Sequence, residues 1–145
     1  MKGLFEVYSQ MLGVNYVEVP NAGVWNPDVK LYEIRDKKDN ALIGYFFADF
    51  IPRKGKYGHA AAFPLISGRL INGVYSKPVA SIVANLSAPT GGKPSLLSHD
   101  DVLTIFHEFG HIMHQTLTRA AFASLSGSSV SQDFVDAPWQ MLENW

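Results

Sequence analysis

Residues 98–117, SHDDVLTIFHEFGHIMHQTL, set the terms for any fold of this chain. Leu103, Phe106, Gly110 and Met113 recur at helical spacing, and so do Val102, Ile105, Phe109 and Ile112. Two apolar stripes of that width predict a helix buried on most sides, spanning about 99–118. Ser98 followed three residues later by Asp101 has the spacing of an N-terminal capping box. Into this apolar cylinder the sequence places three of its five histidines, His107, His111 and His114. Buried imidazoles without partners are a pure desolvation cost, so the pattern calls for something that binds them.

His107-Glu108-Phe109-Gly110-His111 reads HExxH. On a helix, residues four apart share a face, so both imidazoles can reach one Zn2+ at about 2.0–2.1 Å. Glu108 sits about 100° round the helix, placed to address a metal-bound water as a general base. Gly110 carries a helix cost of roughly 0.5–1 kcal/mol, which implies that another segment approaches there closely. A catalytic zinc takes three protein ligands plus water, so a third is required. The following periodic segment, residues 133–145, offers Asp133, Asp136 and Glu143, and spacing alone does not choose among them. His114 lies about two turns beyond His107 and reads as pocket lining beside the ligands; His59 and His99 read as polar lining or a cap partner.

Elsewhere the pattern changes period. Residues 3–12 form a short amphipathic helix closed by Gly13, and residues 16–19 a strand. Residues 29–35 and 42–51, separated by DKKDN, read as a β-hairpin. Residues 52–58 hold Arg53, Lys54 and Lys56 and read as a solvated hairpin tip. The run HAAAFPLI is broken by Pro64, which suits an edge strand. Residues 77–86 supply a further strand, 87–93 a loop and 120–131 a Ser-rich loop. The predicted class is α+β: a small, mainly antiparallel sheet over about 14–87, the HExxH helix, then a ligand-bearing helix over 133–145.

The 145 residues are 47% hydrophobic and 17% charged, with a formal net charge of -1. That balance offers no basic stripe for nucleic acid and no charged face for a membrane. The chain has no cysteine, which excludes disulfides and thiolate metal sites. The apolar runs fall short of a spanning length, and the start is a poor signal peptide, so the expected location is cytoplasmic. Apolar periodicity runs to both ends, and the chain reads as an interior segment truncated at each.

LYEIRD, GKYGHAAAF, SLLSHDDVLTIFHEFGHIMH, the LSG of residues 125–127 and DFVDAPWQMLENW together resemble the catalytic domain of the M3 zinc peptidases, the family of thimet oligopeptidase, neurolysin and bacterial oligopeptidase A. The resemblance covers essentially the whole chain. It implies a zincin-like module with one Zn2+ per chain, ligands His107 and His111, and Glu108 as catalytic base. The family's third ligand, a glutamate in FVEAP, falls on Asp136, one methylene shorter. Trp139 stands where the family usually has serine. Glu143 becomes a residue that orients a histidine. The resemblance also implies short peptide substrates, docked by backbone addition near Gly58, His59 and Ala60, and normal partnership with the remaining parts of a longer peptidase chain. The family's oxyanion-stabilising Tyr and His lie beyond ENW. The leading expectation is thus a zinc metallo-oligopeptidase, and the alternative a zinc-binding fragment with weak or no activity.

Overall fold

The computed structural model describes residues 1–87 and 95–142. The predicted loop at 87–93 falls almost wholly outside the described residues, as do Glu143 and Trp145. Helix α1 (Lys2–Leu12) ends at Gly13, whose φ of 67° gives the left-handed turn that stops a helix. Strands β1 (Val14–Glu18), β2 (Lys30–Asp36) and β3 (Leu42–Asp49) follow, and the last two form the predicted hairpin. Strand β4 (Ala61–Ile66), a small hairpin of β5 (Arg69–Ile71) and β6 (Val74–Ser76), and β7 (Val79–Val83) complete the strands.

The main sheet runs β1-β2-β3-β7-β4. All its pairings are antiparallel except β3 with β7. Strand β4 lies at the edge, as Pro64 predicted, because proline cannot donate to a second neighbour. The β5–β6 hairpin was not anticipated. It turns at Asn72 and Gly73, with φ of 48° and 81°, the pairing that a two-residue hairpin turn requires.

Helix α2 (His99–Leu117) lies over one face of the sheet, and Ser98 and Asp101 form the full capping box at its start. Its Ile105, Phe109, Ile112 and Met113 join Tyr8, Ile34, Phe46 and Ile82 in one buried cluster. Aromatic rings knit the layers: Phe109 lies edge-on to Tyr8 at 4.9 Å and to Phe46 at 5.4 Å between ring centroids. The Tyr8 hydroxyl donates to the Phe106 carbonyl at 2.7 Å, tying α1 to α2. Gly44 permits a close approach in β3, since a Cβ there would stand 2.9 Å from the Pro78 carbonyl oxygen.

The basic segment at 52–58 is a correction to the sequence reading. Lys54 and Gly55 are exposed as a tip requires, but Arg53 and Lys56 are not solvated cations. Lys56 has 3% side-chain exposure and meets Asp49 Oδ1 at 2.9 Å. Its ammonium also donates to the carbonyls of Asp49, Ile51 and Ala84. Arg53 grips the same carboxylate with two bonds of 2.7 Å, and Trp25 Nε1 adds a third donor at 3.1 Å. Asp49 points away from the helix face of β3, so it needed cations, and local composition cannot show that the chain folds back to supply them.

After a 3-10 turn (Ala123–Leu125), the chain reaches helix α3 (Ala137–Leu142). This helix begins later than the predicted residue 133, for residues 132–136 form tight turns closed by the Ser131 carbonyl. It begins just before Pro138, in the first turn, where a missing N–H costs nothing. Phe134 and Met141, large apolar residues of that predicted segment, are 55% and 64% exposed. Trp139, at 7%, is buried instead.

Candidate metal centre

The i,i+4 spacing on α2 brings the two imidazoles together, with His107 Nε2 3.1 Å from His111 Nε2. Asp136 precedes the first residue of α3, and its carbonyl accepts from the N–H groups of Trp139 and Gln140. From that position its carboxylate Oδ1 comes 3.3 Å from His111 Nε2 and 4.0 Å from His107 Nε2. Donors bound tetrahedrally to zinc at about 2.0–2.1 Å stand about 3.3–3.4 Å apart. The His107–His111 and His111–Asp136 separations lie close to that spacing and the His107–Asp136 separation is wider, and the three residues together can hold a metal ion. Among the described residues they form the one such cluster.

At His111 the electrostatics favour the form that binds metal. Burial, with the neighbouring His107 charge next, pushes His111 below the ordinary histidine value, against the pull of Asp136. A neutral imidazole is the metal-binding form. Burial pushes the Glu108 carboxyl above its ordinary value; the His107 charge and a hydrogen bond from the Ala62 N–H offset this in part, and Asp136 adds to the rise. Glu108 thus faces β4 and stands apart from the three donors. A cleft of about 300 Å3 lined by Leu103, Thr104, His107 and Glu108 opens beside them. A larger apolar cleft of about 600 Å3, between α1 and the start of α2, holds none of the four residues.

The remaining candidates separate cleanly. His114 lies beside the cluster against Trp139, with ring centroids 5.0 Å apart. His99 is exposed at the start of α2, and His59 packs on Tyr57 at 5.7 Å. Gly58, His59 and Ala60 lie in the bend that leads into β4 and not in the strand itself, because the chain has first to turn back from Lys56. Gly110 is where α3 approaches: a Cβ there would stand 2.5 Å from the Trp139 ring. Asp133 is exposed and outside the cluster. The Ala62 partner of Glu108 had no signal in the sequence, since a backbone donor carries none.

The model of peptidase family M3 matches residues 1–145, the whole chain. The chain belongs to peptidase family M3. Its M3 relatives include a thimet-like oligopeptidase of Dictyostelium discoideum, 46% identical over 147 residues, and oligopeptidase A of Escherichia coli (strain K12), 42% identical over 147 residues. Each alignment takes in 100% of this chain and 22% of the relative. Dipeptidyl carboxypeptidase of Escherichia coli (strain K12) is 38% identical over 144 residues, with 99% of this chain and 21% of the relative covered. The M3 sequence therefore spans about a fifth of the length of the curated relatives it matches. Among its described residues, no helix is long and apolar enough to cross a membrane.

Proposed function

We propose that this chain carries the zinc-binding and water-activating part of a cytoplasmic peptidase acting on short peptides. One observation carries the reading: His107, His111 and Asp136 converge within 4.8 Å of one another while Glu108, adjacent in sequence, is turned out of that set toward the free edge of β4. Zinc, when bound, supplies Lewis-acid polarisation of the scissile carbonyl and acidifies water. The imidazoles of His107 and His111 and the Asp136 carboxylate would hold it. Glu108 then takes the proton of the attacking water on a carboxylate oxygen and later delivers it to the departing amine. Its raised proton affinity suits both transfers, for a weakly basic carboxylate would accept the first proton poorly.

The outer edge of β4 is the natural dock for a substrate backbone, by strand addition. β4 pairs only with β7 among the described strands, and the Ala62 N–H is directed away from β7 toward Glu108. This moves the proposed backbone contact from Gly58–Ala60 to the edge around Ala62. A peptide laid there passes the carboxylate that is to activate water.

The share of the relatives' length that is covered favours a second reading, in which these 145 residues bind zinc and turn over little substrate. Replacing Glu108 by Gln decides between them. On the first reading, hydrolysis of a short quenched-fluorescent peptide falls by at least about 10²-fold, the lower range for general base catalysis, and zinc stoichiometry is unchanged. Full activity in the Gln variant refutes the mechanism. Equal zinc binding with no turnover by either form supports the second reading.

A further inference from the structure

Three features of α3 bear on how the third donor is held. Its described part has six residues, and among their described side chains only Trp139 is buried. The Trp139 indole rests on Gly110, where an added Cβ would stand 2.5, 2.9 and 3.1 Å from its Cε3, Cδ2 and Cβ. Asp136 is tied to that same residue through the backbone, its carbonyl accepting the Trp139 N–H at 3.0 Å. The Asp136 carboxylate is half exposed, and among the described residues its ion-pair contacts are with the two histidines.

Resting on the metal-site reading above, we propose that Trp139 is a positioning residue for the metal: its ring, seated in the notch left by Gly110, sets how close Asp136 comes to the histidines. Aspartate has one methylene between Cα and carboxylate, so its reach depends on where the backbone of α3 stands. One or two helical turns have little stability of their own. Its height above α2 is therefore set by what it rests on. The notch at Gly110 lets the ring sink toward the α2 backbone, and Asp136 Oδ1 then falls 3.3 Å from His111 Nε2. The same ring lies 5.8 Å from the His111 ring, edge to face, and so forms one wall of the site as well. A side chain at 110 would lift Trp139, and with it the short carboxylate.

The test is zinc affinity, read by competition with a chromophoric chelator, in the longest natural polypeptide that contains these residues. Gly110→Ala and Trp139→Ala should each weaken zinc binding by about 10–100-fold, as changes to groups that support a ligand do. Their effects should not add, because both act through one contact. Asp136→Glu should tighten zinc in the Trp139→Ala background, where a longer side chain makes up the lost reach, and should not tighten it in the parent. A merely structural role for Trp139 gives no such rescue. If Trp139→Ala does not fold, Gly110→Ala still decides: alanine is the better helix former, so weakened zinc with undiminished helical circular dichroism supports the proposal. Parent-like zinc affinity in Gly110→Ala, or additive losses without rescue, overturns it. Failure of the underlying reading looks different, for then His111→Ala binds zinc as the parent does.

Discussion

Replacing Asp49 by Asn should be among the most damaging single changes outside the metal centre. Burial alone would push the Asp49 carboxyl up, but hydrogen bonds from Arg53, Lys56 and Trp25 outweigh it and hold the pKa at about 2, against an ordinary value of 3.8. That difference corresponds to about 2 kcal/mol of stability from ionisation of this one group. Because the folded pKa is the lower one, the contribution is complete above about pH 5 and is lost as pH falls from about 4 toward 2. Asparagine removes that contribution at every pH and also leaves the Lys56 ammonium, 3% exposed, without its counter-charge. Breaking a buried pair from one side costs about 3–5 kcal/mol. The lower end applies here, since three carbonyls still accept from Lys56. Urea unfolding at pH 7 should therefore show a loss of about 3 kcal/mol for Asp49→Asn. The double variant Asp49→Asn/Lys56→Met should be less damaged than the single, because no charge is left buried and unpaired. A single-variant loss below about 1 kcal/mol, the range of an exposed pair, would refute the assignment of this cluster as a buried tie between β3 and the 52–58 turn.

Two further changes test local architecture by the same unfolding assay. Ser98→Ala should cost about 1 kcal/mol by removing the acceptor of the Asp101 N–H, with zinc affinity unchanged; a neutral effect would mean that the capping box does not hold α2. Gly44→Ala should cost about 1–3 kcal/mol by crowding the Pro78 carbonyl, although strand propensity alone predicts a gain. Stabilisation by that change would contradict the close approach of β3 and the start of β7.

What the sequence made legible was what repeats locally. The stripes of α2, the Ser98–Asp101 box, the β2–β3 alternation and Pro64 at the edge each act through neighbours within a few residues, and each stands as expected. Asn72-Gly73 is a hairpin signal, but the strands on either side have three residues each, too few to show an alternating pattern. Other features depend on distant chain. Lys56 looked like a solvated cation because nothing nearby in sequence reveals that Asp49 is buried. Apolar periodicity does not distinguish Phe134 and Met141 from Trp139, yet it is Trp139 that docks α3, since it meets the gap at Gly110. Asp136 could not be told from Asp133 by spacing, and only family resemblance singled it out before the fold put its carboxylate beside His111.

The central claim is that two residues of α2 and the residue just ahead of α3 make one metal site, and zinc titration of three forms tests it most directly. The parent chain should bind one equivalent of zinc. Asp136→Ala should lose most of that affinity, and Asp133→Ala should bind as the parent does. A titration in which Asp133→Ala empties the site while Asp136→Ala leaves it filled would contradict the account.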